Sequence, residues 1–379
     1  MIRLPVEILI LNRGFFPACM LLAAMCSPAA DWNPRLAAVY LDSRQEQWFN
    51  WPVAQSPGGP CVSCHTGATY LLARPLLRKS LGQFEPTHLE KGLLEGMRYR
   101  LAGGQSMFPS LIAEPKRTQA LSVEAILTVL TANKGGLSAA DTKLAWDRVF
   151  GLQQRTGKQT GSWAWFDLGL DPWESEHSDF LGTALAAISV GSAVAYKVED
   201  PYAQQSREMI AYLIREYSNQ PLHNRIMALW ASAKLRGVLD KAKRHTLAGA
   251  IWDLQRPDGG WTTAALGPWQ DHPSKPPVTG SDAYATGFVT FVLQQAGIGC
   301  QDPRLGRARM WLASHQNSTT GAWPFSSMNK RYQTGSMQVG FMDDAATGFA
   351  VLALLDQGSC VATTNNFRTP ARVVHQEGL

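Results

Sequence analysis

The sequence predicts an all-α protein, a single (α/α)6 toroid of about twelve antiparallel helices arranged in an inner and an outer layer. Three observations predict it. An apolar helical segment recurs behind a short Asp-led motif, a turn bearing Gly and Trp precedes each copy, and an amphipathic helix precedes each turn. Of the 379 residues 45% are hydrophobic and 17% charged, which provides for a large core and excludes a disordered chain. The formal charge of +5 is dispersed, so nothing points to a nucleic-acid partner.

Taken in order, residues 1–30 read as an export signal. Arg3 and Arg13 precede an apolar stretch from Phe15 to Met25, and Ser27-Pro28-Ala29-Ala30 supplies a small-residue cleavage site. The protein is therefore expected to be exported, periplasmic or otherwise extracytoplasmic, with lipid attachment at Cys26 as the alternative. Beyond this segment the pattern shows no run long enough for a transmembrane helix. Residues 31–360 are expected to form the toroid, and 361–379, which lack helical periodicity, a tail.

The first outer helix is expected over Pro34 to Gln47, ending in Trp48-Phe49-Asn50-Trp51, which looks like the later Trp163-Ala164-Trp165-Phe166. Next comes Cys61-Val62-Ser63-Cys64-His65, followed by Thr69 in the register that Asp282 keeps with Thr286. By that register the motif opens the first inner helix. Outer 86–102 with inner 118–134, and outer 203–218 with inner 222–235, are fainter copies; in the latter His223 takes the Asp position.

The clearest copies are Ser178-Asp179-Phe180-Leu181-Gly182-Thr183, Ser281-Asp282-Ala283-Tyr284-Ala285-Thr286 and Met342-Asp343-Asp344-Ala345-Ala346-Thr347. Each runs into a helix apolar on nearly every side, the mark of a buried helix. Their turns are Gln153-Gln154 with Gly161-Ser162-Trp163, Gln255 with Asp258-Gly259-Gly260-Trp261, and Gln316 with Gly321-Ala322-Trp323. Asp240 to Leu254 and Arg304 to His315 are the amphipathic outer helices before the last two. Cys300 and Cys360 end neighbouring inner helices at equivalent points, so a disulfide between them is expected.

These turns resemble the QW repeats of the terpenoid cyclase and protein prenyltransferase superfamily, squalene–hopene cyclase included. The resemblance implies the toroid, with Gln255, Trp261, Gln316 and Trp323 stitching outer helices together for stability. It also implies a comparison with the cyclases' Asp-x-Asp-Asp acid. Here the corresponding residues are Phe341-Met342-Asp343-Asp344, with Phe341 in place of the first Asp. On that comparison Asp343 would be the proton donor and Asp344 its neighbour.

Superposed, the inner-helix starts bring His65, Asp179, His223, Asp282 and Asp343 to one mouth of the ring. Asp179 and Asp282 are candidate N-caps as well as candidate site residues. Cys-x-x-Cys-His is the attachment signature of a c-type haem, its two thiols adding to the vinyl groups and its histidine ligating iron. The expected cofactor is one covalent haem c, bound through Cys61 and Cys64 with His65 on the metal. The Pro/Gly-rich lead-in from Ser56 to Pro60 is expected to let it approach. A zinc site completed by Asp or His223, and a plain Cys61–Cys64 disulfide, are the other readings. His88, Met97, Met107, His177 and His223 are candidates for the iron's sixth ligand.

The expected function is redox: electron transfer with a partner protein, or oxidation of an apolar, isoprenoid-like ligand held in the barrel. The alternatives are a squalene–hopene-like isoprenoid cyclase using Asp343 and Asp344, with Asp282 and His223 at the same mouth, and a non-catalytic toroid binding lipid or carbohydrate.

Overall fold

The computed structural model describes residues 32–105, 113–132, 136–193, 201–299 and 301–356. The export segment, the tail, Met107, Cys300 and Cys360 lie outside the described residues. In chain order the helices are α1 (Pro34–Asn50) and α2 (Gly67–Ser80), α3 (His88–Ala102) and α4 (Lys116–Ala132), then α5 (Ala139–Gly151) and α6 (Ser178–Ser192). They continue with α7 (Ala203–Glu216) and α8 (Leu222–Lys234), α9 (Lys241–Asp253) and α10 (Ala283–Gln295), and α11 (Pro303–Ser314) and α12 (Phe341–Leu355). The even-numbered helices form the inner ring, each packed on the next, and α12 closes onto α2. The odd-numbered helices form the outer layer, so the chain is the all-α, two-layered toroid that its repeats predict.

The two layers begin their helices differently. Five of the six outer helices start on side-chain caps: Asn33, Thr87 with Glu90 in a capping box, Ser138, Asp240 and Asp302; α7, with Tyr202 at its cap position, does not. Such caps satisfy backbone donors that would otherwise be left to water, each contributing about 1 kcal/mol. Inner helices are buried along most of their length, and their starts are held from the turns in front of them. Among them α10 has the predicted cap, Asp282, which accepts from the Ala285 N–H. Asp179 departs from that prediction: α6 begins at Ser178 with His177 at the cap position, so Asp179 lies inside the first turn.

The turn glutamines behave as the repeat implies. Gln255 donates from Nε2 to the carbonyls of Gly259 and Arg304, and Gln153 to those of Gly161 and Gln205. Each amide thereby ties its own turn to the first residues of the next outer helix. Gln316 does the same across the closure, giving to Gly321 and Asn33 and accepting from the Asn33 N–H at 2.6 Å. The glycines allow this proximity: a Cβ on Gly321, at φ +80°, would fall 2.3 Å from the Leu36 carbonyl carbon.

Two expectations fail at the first repeat. Trp48 lies within α1, not in a turn, and its indole donates forward to the Cys61 carbonyl at 2.8 Å. It anchors the cysteine motif where its supposed equivalents anchor an outer helix. The Ser56–Pro60 lead-in is a short hairpin, Gln55–Ser56 paired with Gly59–Pro60, packed on α3. A Cβ on Gly58 would meet the Tyr99 ring at 2.5 Å, so the glycine there makes room for protein, not for a ligand.

One segment also departs from the membrane reading. Met337–Leu355 is long and apolar enough to cross a bilayer, but most of it is buried inside the toroid. An inner helix enclosed by neighbours needs the same composition as one enclosed by lipid.

Candidate functional site

At the ring's mouth the repeat aspartates are occupied by the backbone. The turn tryptophans donate from their indoles to the preceding outer helix: Trp163 to the Val149 carbonyl, Trp261 to Ile251 and Trp323 to Leu312, at 2.6–2.8 Å. Two residues further on, a main-chain N–H donates to the aspartate of the following inner helix. Trp165 N gives to Asp179 at 2.8 Å, Thr263 N to Asp282, and Phe325 N to Asp343 at 2.6 Å. These N–H groups sit in buried turns that offer no ladder partner, so a carboxylate is their acceptor. Asp282 also accepts from the Thr263 hydroxyl at 2.8 Å. Burial pushes all three carboxyls up, that of Asp343 to about 6.

Asp344, its neighbour, does something else. Successive helical residues point roughly 100° apart, so Asp344 turns from its own turn toward α1 and α2. It is 1% exposed and receives four donors. Arg44 gives Nε to Oδ1 at 2.7 Å and an NH2 proton to Oδ2 at 3.1 Å, Tyr40 gives its hydroxyl to Oδ1 at 2.9 Å, and Thr66 gives its hydroxyl to Oδ2 at 2.6 Å. Burial pushes the carboxyl up, and these partners oppose it. With a bidentate guanidinium and two hydroxyls aimed at it, the group acts as an acceptor.

Thr66 links this cluster to the cysteine motif, because its oxygen lies 2.9 Å from His65 Nδ1. The His65 ring stacks on Phe341 with centroids 3.8 Å apart and has Trp48 and Trp173 close by. Burial, with Arg44 nearby, lowers its pKa to about 3, so the imidazole is neutral. No protein group engages Nε2 among the described residues. The Thr69 hydroxyl donates to the His65 carbonyl, and the Ser63 hydroxyl oxygen accepts from Thr66 N and Gly67 N, which holds the start of α2.

The two cysteines are not equivalent. Both are free thiols, so the structure holds no Cys61–Cys64 disulfide. Cys64 lines the central cavity, while Cys61 is 1% exposed and lies in the field of the buried Arg100–Glu124 ion pair. Burial pushes the Cys61 thiol up to about 12 and that of Cys64 well above its usual value. Of the motif, Cys64 lines the cavity; Cys61 and His65 do not.

That cavity leaves about 50 Å³ open between its side chains, below the range of small-molecule sites. Trp165, Trp173, Trp230, Tyr284 and Phe349 project into it, so much of the space lies in narrow clefts between rings. Its one extended polar feature is a chain of hydrogen bonds. Trp173 Nε1 donates to the Tyr284 hydroxyl at 2.8 Å, which lies 2.9 Å from His223 Nε2; His223 Nδ1 lies 3.1 Å from Asn224 Oδ1. Asn224 spends its two amide protons on the His177 carbonyl and Gln220. Its oxygen must therefore accept, His223 carries its proton on Nδ1, and Tyr284 donates to Nε2.

His223 is 0% exposed, and burial lowers its pKa to about 4. A folded-state pKa below the unfolded value of about 6.5 leaves full stability above pH 6.5, lost as pH falls toward 4. At roughly 1.4 kcal/mol per pKa unit the loss from this residue is about 3 kcal/mol. Urea unfolding at pH 7 and pH 4 is expected to show a smaller acid-induced loss in His223→Gln than in the parent chain; equal losses would contradict this role.

Glu174 is a residue that sequence reasoning passed over. Burial pushes its carboxyl up to about 7 against the opposing charge of Lys116, and it raises the Cys64 thiol further. The signal for it was slight, an acid beside Trp173 in a loop. Other candidates are spent elsewhere. His88 pairs with Glu46 at the surface, Met97 is buried against Thr131, and His177 pairs with Glu176.

No protein-family model matches the chain, and neither does any curated protein. Among solved structures it is similar to a glycosidase variant, at 11% identity and a TM-score of 0.47, over 86% of this chain and 97% of that one.

Proposed function

We propose that the chain is an exported, mono-haem c-type redox protein built on an α/α toroid, in which Cys61 and Cys64 would tether the haem and His65 would ligate its iron. The observation that carries this reading is His65 itself: a neutral imidazole, its Nε2 without a protein partner among the described residues, directly behind Cys-x-x-Cys. A bare zinc ion would need about four protein ligands. Among the described residues no three of His, Cys, Asp and Glu come together to hold one. A porphyrin brings four nitrogens of its own, so one imidazole is enough.

When bound, the haem supplies one-electron chemistry at its iron. The chain's part is to orient His65 between Phe341 and Trp48, to exclude water with the rings of Trp48, Trp173 and Phe341, and to present Cys64 at the cavity wall. Cys61 has to turn out of its pocket beside Arg100 to complete the attachment. His223 has both ring nitrogens engaged, so the proposal gives the iron one histidine ligand. With so little open space in the cavity, the toroid serves as an electron carrier for a partner protein, and an apolar ligand as reductant or oxidant would enter only where the rings of Trp165, Trp173 and Trp230 part.

This reading is preferred to an isoprenoid cyclase because Asp344 is saturated by donors, and Asp343 makes the same backbone contact as Asp179 and Asp282. A pyridine haemochrome assay on the exported protein is expected to report one covalent haem per chain. Cys64→Ala is expected to reduce retention of the haem through acid–acetone extraction. A chain exported in folded form without covalent haem would overturn the proposal.

A further inference from the structure

The hydroxyl of Thr66 and the carboxylate of Asp344 form a relay behind His65, and its protons can be assigned. Thr66 has one hydroxyl proton, and Asp344, already paired with Arg44, takes it at 2.6 Å. The threonine oxygen can then only accept from the ring, so Nδ1 carries the imidazole proton and Nε2 the lone pair. Had the proton been on Nε2, two acceptors would face each other across 2.9 Å in a partly buried setting, which is unfavourable.

We propose that Thr66 and Asp344 are positioning residues that hold His65 as its Nδ1–H tautomer and strengthen Nε2 as a donor toward iron. The inference rests on the haem reading for its purpose but not for its geometry. A histidine ligand whose other N–H is given to a fixed acceptor is both oriented and made more basic. Here the acceptor, the Thr66 hydroxyl, is fixed by Asp344. Arg44 and Tyr40 of α1 fasten Asp344, and Asp344 belongs to α12, 278 residues from Thr66. The ligand on the first inner helix is thus set by the last one, and it is prepared only when the ring is closed.

Thr66→Val removes the hydroxyl and keeps the shape, while Thr66→Ser restores the hydroxyl. In haem-bearing protein Thr66→Val is expected to lower the iron–histidine stretching frequency, raise the midpoint potential, and make His65 about 10–100-fold easier to displace with added imidazole. Thr66→Ser is expected to return all three to parental values, which a purely structural role of the threonine would not require. In haem-free full-length chain, nitrogen-15 imidazole spectra are expected to show His65 protonated on Nδ1, and mixed or Nε2 protonation in Thr66→Val. An unchanged tautomer, or an unchanged iron–histidine stretch, in Thr66→Val would overturn the relay. A haem-free chain with the expected tautomer would overturn the haem proposal alone.

Discussion

Asp344→Ala is expected to destabilise the protein by about 3–5 kcal/mol, the range for breaking a buried ion pair from one side. The reason is what remains: Arg44, with a side chain 11% exposed, would keep its charge in a buried site with its main acceptor gone. Tyr40 and Thr66 would lose their acceptor as well. The measurement is urea unfolding of the single variant and of the double variant Arg44→Met with Asp344→Leu. Replacing both charges by apolar groups of similar size is often neutral or better, so the double variant is expected to recover most of the loss. A loss below about 1 kcal/mol in the single variant would contradict the role given to the pair.

Trp323→Ala is expected to cost a similar amount, about 3–5 kcal/mol for a fully buried tryptophan, and to act at the seam of the ring. Its side chain is 0% exposed, its indole donates to Leu312, and Trp32 packs on its ring with centroids 5.7 Å apart. Its backbone N–H goes to Thr347 Oγ1 on α12, the bond that Trp261 N makes to Thr286. Hydrogen exchange is expected to speed up at the beginning of α1, where Gln316 holds Asn33, while α6 and α8 stay protected. Uniform loss of protection around the ring would contradict a local seam.

Much of this architecture was legible in the sequence because a repeat states its structure several times. A turn with Gln, Gly and Trp before an Asp-led apolar helix appears three times with little noise. The helices found there match those expected to within a few residues. The fainter copies were also placed correctly, because their amphipathic and apolar runs still alternate. Trp48 misled for a local reason: a tryptophan near a helix end looks like a turn tryptophan until its indole is seen to bond forward, to Cys61, and not back into a helix. The lead-in glycines misled in the same way, since glycine marks close approach without naming what approaches.

The site was less legible, and Asp343-Asp344 shows why. In the sequence the pair invites a single function as a shared acid. On a helix, neighbours diverge, and one carboxylate takes the Phe325 N–H while the other reaches Arg44, Tyr40 and Thr66. Glu174 was missed for the complementary reason: its carboxyl is unusual only because the surrounding loops bury it.

The sequence by itself determined the helix pairs, the turn residues that join them, and a Cys-x-x-Cys-His motif at the head of the first inner helix. Those features are local, readable from periodicity and short-range spacing. Only the tertiary structure decided that Cys64 lines the cavity while Cys61 does not, that His223 is locked at both nitrogens, and that His65 is backed by Thr66 and Asp344. Each depends on closing the ring, which brings α12 against α1 and α2, and no pattern within a single repeat can state what lies across a closure.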